Sequence, residues 1–400
     1  MDLQSNYLGV ALDSPFILAS APPTANGEMI RRAFCAGWSG AVIKTLIREP
    51  VRNLHNRFAV SRAGGTIIGF ENLELLSELP PDEWFATIAR LKAEFPDKAV
   101  IGSIMGDARD PDDWLFLARG CQDAGADLLE LNFSCPHGCP EKGKGAAIGQ
   151  NAGYSALITS WLKEAADIRL PIVPKLTAAV TDIQSIGEAV AGAGADGICA
   201  INTIPSLMAI DLKRLRPLPD IGGRTSCGGY SGPGIKPIAL RAVSELLRAP
   251  GLPIMACGGI SGGFDAAEFM LLGAPVAQVC TEVMLRGFDV IGRMKEELRE
   301  FMSWHGFLRP DDFIGLCRDR VTAFSALDQE FRVMPRVDPA RCTHCRACLV
   351  SCRDGGFQAI EHVEEIRFDR SRCSGCSLCA RVCPSGAIRM ERDEALTDRP

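Results

Sequence analysis

The feature that most constrains the fold of this chain is an eightfold alternation of short apolar runs with longer amphipathic segments between Pro15 and Glu282. Strands that alternate with helices pair in parallel, and eight such units in about 270 residues match a closed (β/α)8 barrel. An open doubly wound sheet is the alternative, but the count of eight favours the barrel. The strand-like runs are PFILAS (15–20), GAVIKT (40–45), AVIGSIM (99–105), LLELNFSC (128–135), PIVPKL (171–176), GICAIN (197–202), PIMACGG (253–259) and VAQVCTE (276–282).

The segments between these runs carry a helical pattern, and two of the connecting loops are long. We predict helices over 82–94, 111–124, 152–166, 182–193, 237–248 and 263–271. The loop at 65–80 follows the second run, and the glycine- and proline-rich loop at 215–234 follows the sixth. Loops of this length are usually lids or binding loops, with disordered insertions as the alternative.

Polar residues gather at the carboxyl ends of the predicted strands. Any one of these residues could be present only to stabilise a turn. The carboxyl ends of the strands of a (β/α)8 barrel, however, meet at one rim, where active sites form. We therefore expect the site to be built from the residues at that rim: Ser20, Lys44, Thr45, Asn132, Cys135, Lys175, Asn202, Thr203, Gly258, Gly259 and Thr281.

The glycines at Gly192, Gly194 and Gly197 match the spacing of a dinucleotide-binding fingerprint. The fingerprint follows a strand and opens a helix, whereas these glycines close a predicted helix and lead into a strand. We interpret them as a helix-terminating turn, and the sequence shows no other NAD-binding pattern.

Two cysteine runs near the carboxyl terminus have the spacing of bacterial two-cluster ferredoxins, in which the fourth cysteine of each run binds the other cluster. Structural zinc is the rival that this spacing argues against. Arg353 stands where a proline often follows the first run. We predict one [4Fe–4S] cluster on Cys342, Cys345, Cys348 and Cys383, and a second on Cys352, Cys373, Cys376 and Cys379.

Composition and charge narrow the class of protein further. The net charge of −6 argues against nucleic-acid binding, and the sequence has neither a signal-peptide pattern nor an apolar run of membrane-spanning length. Nine of the 17 cysteines lie scattered outside the two runs, which favours a reducing compartment, and we predict a cytoplasmic protein. We predict a barrel over 1–304, a helical connector over 305–334, a ferredoxin-like domain over 335–390 and a polar tail over 391–400.

Iron–sulfur clusters pass single electrons, so the barrel needs a group that exchanges them with an organic substrate, and a flavin does both. Main chain at Gly258-Gly259 and at Cys280-Thr281, after the seventh and eighth strands, suits a phosphate and favours FMN. Lys175 lies in an otherwise apolar strand and is predicted to place positive charge beside the flavin ring. A lysine that snorkels from the barrel end is the alternative.

Amide side chains at the rim suit a substrate ring that contains amide groups. Asn132 and Asn202 each carry a donor and an acceptor, and Asn72 and Glu74 in the first long loop add more.

Cys135 lies in the stretch LELNFSCPHGCPEKGKG (129–145), at the end of the fourth predicted strand. A thiol with an ordinary pKa of about 8.5 is mostly protonated near neutral pH, which suits a general acid to a substrate carbon. A nucleophilic cysteine assisted by His137 is the alternative.

At these residues the chain resembles the dihydropyrimidine dehydrogenases, in particular the bacterial subunit type that carries FMN and two clusters, within the wider dihydroorotate dehydrogenase superfamily. The resemblance covers nearly the whole chain. It rests on MIRRAFCAGW (29–38), NLELLSE (72–78), LELNFSCPHG (129–138), TDIQSIGEAV (181–190), GADGICAINT (194–203), GYSGPGIKPIALRAV (229–243) and the two cysteine runs.

The resemblance implies a role for individual residues. Cys135 is implied as the acid for C5 of the ring, with Ser134 close by. The implied ring-binding residues are Asn72, Glu74, Asn132, Asn202 and Thr203. The implied FMN contacts are Ala19, Ser20, Lys44, Lys175, Gly232, Gly258, Gly259, Cys280 and Thr281, to which we add Thr45.

The resemblance also implies a reaction and a partner. Enzymes of this family reduce the 5,6 double bond of uracil and thymine, with hydride from FMN to C6 and electrons from NAD(P)H oxidised at a separate FAD site. That site is missing from this sequence, so a partner FAD subunit is implied, in a homodimer or heterotetramer. Cys139, a second thiol in the catalytic loop, departs from the family pattern.

Two alternatives remain open. A dihydroorotate dehydrogenase-like enzyme, or a reductase of another cyclic enone or ureide, would use the same barrel; orotate would need a cation for its carboxylate, and Glu74 argues against an anionic ring. A non-catalytic electron-transfer subunit would keep the flavin and the clusters but would have no reason to keep the polar ring-binding set.

Overall fold

The computed structural model describes residues 1–133, 146–248, 251–362 and 366–393. The chain divides into two compact units, Met1–Val321 and Thr322–Pro400. The finer boundaries drawn from the sequence stay predictions. Cys135, the predicted acid, lies outside the described residues, as do Ser134, His137 and Cys139.

The strands within the described residues run in chain order as follows. They are β1 (Ser5–Tyr7), β2 (Val10–Leu12), β3 (Phe16–Leu18), β4 (Gly40–Val42), β5 (Phe58–Ala63), β6 (Thr66–Asn72), β7 (Ala99–Ile104), β8 (Leu128–Asn132), β9 (Ile172–Leu176), β10 (Ile198–Ala200), β11 (Ile204–Ser206), β12 (Ala209–Asp211), β13 (Arg216–Leu218), β14 (Gly228–Ser231), β15 (Ile254–Cys257), β16 (Val276–Val279), β17 (Val333–Val337), β18 (Ile360–His362), β19 (Ile366–Phe368) and β20 (Ile388–Arg392).

The α-helices of the same residues alternate with the strands through the first unit. They are α1 (Gly27–Ala36), α2 (Pro81–Glu94), α3 (Pro111–Asp123), α4 (Ala146–Gly149), α5 (Ala152–Glu164), α6 (Ile183–Gly192), α7 (Lys236–Arg248), α8 (Gly263–Leu272), α9 (Thr281–Arg286), α10 (Val290–His305), α11 (Ala347–Gly355) and α12 (Leu378–Arg381).

A closed barrel of eight parallel strands forms the first unit, in the order β3-β4-β7-β8-β9-β10-β15-β16, with β16 pairing back onto β3. Each of these strands falls within one of the eight apolar runs of the sequence, so the barrel prediction is confirmed. The strands are buried on both faces, because helices cover the outside and side chains fill the inside.

Local sequence signals set the helix ends. Asn26 accepts a hydrogen bond from the main-chain N–H of Met29 and caps α1, and Asp182 caps α6 in the same way through Ser185. The helix α6 ends at Gly192, and Gly194 adopts φ +90° before β10 begins. The glycine pattern is therefore the helix-terminating turn that the sequence predicts.

The amino-terminal hairpin of β1 and β2 closes the bottom of the barrel. Tyr7 is buried, and its hydroxyl donates to the carbonyl oxygen of Pro253 at 3.0 Å, just before β15 begins. Ser5 donates to the carbonyl oxygen of Pro275 at 2.8 Å, just before β16. The opposite end, where the strands finish, is left for the site.

Four short strands pair into an antiparallel sheet, in the order β11-β14-β6-β5. The strands β6 and β14 belong to the long loops at 65–80 and 215–234, and β5 and β11 precede them; none of the four is among the strands predicted from the sequence. The register aligns Asn72 of β6 with Gly229 of β14, so the loop after the second barrel strand is fixed to the loop after the sixth.

The second unit contains two small antiparallel pairs, β17 with β20 and β18 with β19, around α11 and α12. Among its described residues, a small hydrophobic cluster is centred on buried Cys348, Ile360, Cys379 and Ile388, with partly buried side chains packed against it. The segment predicted as a helical connector contains single-turn 3₁₀ helices, including Pro310–Asp312 and Phe324–Ala326.

Candidate active site

A cleft of about 1010 Å³, including its mouth, lies at the carboxyl ends of the barrel strands. A volume of this order is typical of cofactor and ligand sites. The structure brings together in this cleft every predicted site residue of the first unit that lies within its described residues. These are Ala19, Ser20, Lys44, Thr45, Asn72, Glu74, Asn132, Lys175, Asn202, Thr203, Gly232, Gly258, Gly259, Cys280 and Thr281.

Lys175 belongs to a buried triangle of polar side chains inside the barrel. Its Nζ lies 3.3 Å from Glu130 Oε1 and donates to Gln278 Oε1 at 2.8 Å, while Gln278 Nε2 donates to Glu130 Oε2 at 2.6 Å. Glu130 is fully buried and Gln278 is 1% exposed. Lys175 is therefore held by two partners and is not a snorkelling lysine.

The charge of Lys175 depends on its neighbours. Burial alone lowers the pKa of Lys175, but the acidic neighbours, Cys199 and Glu130 foremost, outweigh burial and raise that pKa above its ordinary value. Burial also raises the pKa of the Cys199 thiol. The base of the cleft thus contains a permanent cation.

Glu130 and Gln278 were missed by the sequence argument, although a signal for both was present. Each is a polar residue inside an otherwise apolar strand, LLELN and VAQV, which is the same signal that pointed to Lys175.

Thr45 is the centre of a hydroxyl network at the rim. Its Oγ1 lies 3.0 Å from Ser20 Oγ and 2.9 Å from Ser103 Oγ, and it accepts a hydrogen bond from Asn132 Nδ2 at 3.0 Å. Ser103 is fully buried at the end of β7 and was not predicted as a site residue. The network ties the ends of four successive segments of the barrel to one oxygen atom.

The hydrogen bonds of Asn132 continue into a chain that orients two amides. Asn202 Nδ2 donates to Asn132 Oδ1 at 3.4 Å, and the main-chain N–H of Thr203 donates to Asn202 Oδ1 at 2.7 Å. Because Asn132 donates from its nitrogen to Thr45, each amide has one self-consistent orientation. Amides with fixed orientations can form specific hydrogen bonds with the donors and acceptors on the edge of a polar ring.

Glu74 lies between two cations. Its Oε1 is 3.1 Å from Lys44 Nζ, and its Oε2 is 2.8 Å from Arg57 Nε. The side chains of Lys44 and Glu74 are 8% and 6% exposed, whereas that of Arg57 is 31% exposed. The two positive charges beside the Glu74 carboxylate reduce its repulsion of an anionic ring.

Asn72 joins the site to the four-stranded sheet. Its Nδ2 donates to the carbonyl oxygen of Gly229 at 3.0 Å, and its Oδ1 accepts from the main-chain N–H of Glu74 at 3.2 Å. The segment that carries Asn72 and Glu74 is thus held by a hydrogen bond within the segment and by a second hydrogen bond to the loop after the sixth strand.

The turn after β15 has the shape of a phosphate cradle. Gly258 and Gly259 adopt φ +119° and +76°, and a Cβ at Gly259 would lie 2.5 Å from the main-chain nitrogen of Lys236, so the turn requires glycine. Across the cleft, Ser231 Oγ and Thr281 Oγ1 lie 2.8 Å apart. Main-chain turns, hydroxyl groups and the two lysines form a donor set that fits FMN.

Two thiols line the same cleft as neutral groups. Burial raises the pKa of Cys280 to about 12 and also raises that of Cys257. Both are protonated near neutral pH and so add no negative charge beside the cleft.

The second unit brings both cysteine runs into one small domain. Cys348 and Cys379 are buried in α11 and α12, Cys352 also lies in α11, and the other five precede or follow these helices at intermediate or exposed positions. All 15 cysteines within the described residues are free rather than paired in disulfides. In those same residues no helix combines the length and apolarity needed to cross a bilayer.

The fold and the site together define a barrel oxidoreductase joined to an iron–sulfur domain. Residues 2–302 match the dihydroorotate dehydrogenase family and residues 335–390 match the 4Fe-4S dicluster domain. The chain belongs to the dihydroorotate dehydrogenase family, and the prediction of a two-cluster domain after the barrel is confirmed.

Relatives from three organisms place the chain more closely. The NAD-dependent dihydropyrimidine dehydrogenase subunit PreA of Escherichia coli strain K12 is 38% identical over 396 residues, covering 97% of this chain and 95% of the relative. The chloroplastic dihydropyrimidine dehydrogenase (NADP(+)) of Arabidopsis thaliana is 37% identical over 328 residues, covering 78% and 76%. The catalytic subunit of dihydroorotate dehydrogenase B (NAD(+)) from Pyrococcus abyssi is 37% identical over 314 residues, covering 78% and 98%.

Proposed function

We propose that this protein is the catalytic subunit of a dihydropyrimidine dehydrogenase, which interconverts uracil or thymine with the 5,6-dihydro form. The observation that carries the proposal is the convergence of Asn72, Glu74, Asn132, Asn202 and Thr203 on the cleft that also contains Lys175. A cleft with two pre-oriented amides and a buried cation is suited to a small polar ring stacked on a flavin.

The extent of the matches supports the same activity. The Escherichia coli dihydropyrimidine dehydrogenase subunit aligns with 97% of this chain, which includes the dicluster domain. The Pyrococcus abyssi dihydroorotate dehydrogenase subunit aligns over 314 residues, about the length of the barrel unit alone.

FMN, when bound, supplies hydride transfer to C6 of the ring and single-electron exchange with the clusters. Gly258, Gly259, Cys280 and Thr281 would hold its phosphate by main-chain N–H groups, and Lys175 would place its charge at the flavin ring. Ala19, Ser20, Lys44, Thr45 and Gly232 complete the proposed FMN contacts.

The polar rim residues would orient the pyrimidine. Thr45 holds Asn132, and Asn132 holds Asn202, so the ring meets amides whose donors and acceptors are already in place. Preorganised hydrogen-bonding groups reduce the entropy lost on binding and fix the reacting carbon atoms relative to the flavin.

Cys135 would protonate C5. It follows Asn132, the last residue of β8, by three positions in the sequence. Its partner Ser134 would lie beside the ring. A thiol of ordinary acidity remains protonated near neutral pH and can deliver its proton as hydride reaches C6.

Electrons would reach the dicluster domain from NAD(P)H through a separate FAD subunit. The name of the Escherichia coli relative, a subunit, supports a heteromeric enzyme. The free thiols of the described residues support a reducing, cytoplasmic setting. The assembly would be a homodimer or a heterotetramer.

Anaerobic reoxidation tests this function directly. The holoprotein is reduced with dithionite under argon, and uracil, thymine or orotate is added while flavin absorbance is recorded. We expect uracil and thymine to reoxidise the flavin and to yield the dihydropyrimidine. Failure of every pyrimidine to reoxidise the flavin would favour an electron-transfer subunit without catalysis.

A dihydroorotate dehydrogenase activity is the second candidate. Lys44 lines the cleft and provides a cationic group of the kind that an orotate carboxylate needs, and the Pyrococcus abyssi relative carries that activity in its name. Reoxidation by orotate at a rate above that of uracil would favour this second function.

A further inference from the structure

We propose that Arg57 is a positioning residue for pyrimidine recognition, because it fixes the carboxylate of Glu74 so that this group accepts a hydrogen bond from a ring N–H. The inference rests on the proposed function and deepens it: the substrate would be a ring with an N–H donor on the edge that faces Glu74. Arg57 acts through Glu74 and does not itself contact the ring.

Arg57 is anchored on three sides. Its Nε donates to Glu74 Oε2 at 2.8 Å, its Nη1 donates to the carbonyl oxygen of Leu54 at 3.1 Å, and its guanidinium lies 5.0 Å from the centroid of the Phe58 ring. Its own carbonyl oxygen accepts from the main-chain N–H of Leu73 at 2.8 Å. A side chain held in this way loses little further freedom when it orients a neighbour.

The carboxylate of Glu74 retains accepting capacity toward the cleft. A carboxylate has about four lone-pair directions, of which Lys44 takes one on Oε1 and Arg57 takes one on Oε2. Glu74 lines the cleft and is 8% exposed, so its remaining directions are close to a bound ring. A carboxylate fixed by two cations presents an acceptor to N–H groups at a set angle.

The planar guanidinium of Arg57, with several N–H donors, suits this position. Nε and Nη1 reach a carboxylate and a main-chain carbonyl at the same time, and the planar group also packs over Phe58. A lysine keeps the charge but has a single nitrogen, so it cannot hold both partners in one geometry. Substitution by lysine therefore separates the effect of charge from the effect of orientation.

Asn53 holds the main chain of the same segment independently of Arg57. Its Oδ1 accepts from the N–H of Leu75 at 2.6 Å, and its Nδ2 donates to the carbonyl oxygen of Leu76 at 3.3 Å. Asn53 is buried. Removal of Arg57 thus takes away the partner of Glu74 Oε2 and leaves Lys44 on Oε1, while the segment that carries Glu74 stays in place.

The test compares Arg57→Gln, Arg57→Lys and wild type as FMN-loaded holoproteins. The dissociation constant for uracil is measured from the perturbation of oxidised flavin absorbance, without turnover. We expect Arg57→Gln to raise it about tenfold or more, and Arg57→Lys to raise it by less, because a hydrogen bond to a charged group is lost or weakened. The KM for uracil should follow the dissociation constant, whereas kcat at saturation stays within about threefold.

The matched control is Arg62→Gln on the neighbouring hairpin, where the arginine donates to the carbonyl oxygen of Gly65. This variant should bind uracil as wild type does. The double variant Arg57→Gln/Glu74→Gln should be no weaker than Glu74→Gln alone, because Arg57 acts through Glu74.

Three results would overturn the inference. A wild-type dissociation constant in Arg57→Gln would show that Glu74 needs no such partner. Additive losses in the double variant would show that Arg57 acts by another route. Absence of uracil binding by wild type would contradict both the proposed function and this inference. Uracil turnover by wild type, together with unchanged uracil binding in Arg57→Gln, would contradict the inference alone.

Discussion

The two units of this protein prepare their redox sites in opposite ways. The barrel encloses a large apolar core between strands and helices, and its cleft lies at the end of that core, with core residues such as Ile201 and Ile235 lining it beside the polar groups. Among the described residues of the dicluster domain, the buried hydrophobic cluster is small and includes Cys348 and Cys379, both predicted cluster ligands. The barrel is thus expected to fold without its cofactor, whereas the small domain is expected to depend on its clusters for a complete core.

The largest test of this contrast is Cys379→Ser. We expect loss of one cluster and unfolding of the second unit, because a domain with so small a core depends on its metal. Iron content, visible absorbance and hydrogen exchange across Thr322–Pro400 measure the effect.

The barrel should remain folded in this variant. All five tryptophans lie before residue 305, so their fluorescence reports the first unit alone. The control Cys35→Ser, in the exposed position of α1, should keep both clusters. Full iron content with a protected second unit in Cys379→Ser would contradict the contrast.

Within the barrel, Lys175→Met tests how much stability depends on the buried triangle. The substitution leaves Glu130 buried without its cation, which typically costs about 3–5 kcal/mol. Chemical denaturation followed by tryptophan fluorescence measures the free energy of unfolding.

The matched control is Lys163→Met, which removes the half-exposed ion pair with Asp196. Loss of such a pair usually costs about 1 kcal/mol or less. Equal decreases in the free energy of unfolding in the two variants would show that the buried Lys175 pair contributes no more to stability than a partly exposed ion pair.

A smaller effect is expected from Thr45→Val, which removes the shared hydroxyl and keeps the shape of the side chain. Asn132 and Ser103 each lose a partner, so we expect the free energy of unfolding to fall by about 1–3 kcal/mol and uracil to bind more weakly. Thr45→Ser keeps the hydroxyl and should restore both quantities. Unchanged uracil binding in Thr45→Val would show that the network does not orient Asn132.

The smallest effect concerns the buried thiol of Cys121, whose pKa burial raises from 9.0 to about 12. Above pH 9 the unfolded chain releases this proton and the folded chain keeps it, so stability falls as pH rises toward 12, by at most about 1.4 kcal/mol per pH unit. Denaturation at pH 8, 9 and 10 measures the slope. Cys121→Ala should have a shallower slope, and identical slopes would contradict the assignment.

The sequence predicts the barrel well and its covering sheet poorly, for a physical reason. Each barrel strand is an apolar run that is visible by itself, because both of its faces are buried. The strands β6 and β14 are partly polar and contain Gly69, Gly228 and Gly229. Their identity as strands depends on a partner far away in the chain, and a local pattern does not carry that information.

The same distinction separates the site residues. Lys175 was found because it interrupts an apolar strand, and Glu130 could have been found in the same way. Arg57 has no such signal, since arginines at exposed loop positions are common and nothing local distinguishes it from Arg52 or Arg62. Its role follows only from the fold, which sets it beside Glu74.

The pairing of β6 with β14 also sets when the site can form during folding. Asn72 and Gly229 are 157 positions apart, so their hydrogen bond forms only after a long segment of the chain has been closed into a loop. A nascent chain that has emerged only as far as β9 can pair barrel strands but lacks β14, so the hydrogen bond that fixes Asn72 to Gly229 has not formed. The substrate-binding residues are therefore expected to reach their final arrangement late in folding. A half-barrel fragment would not bind substrate.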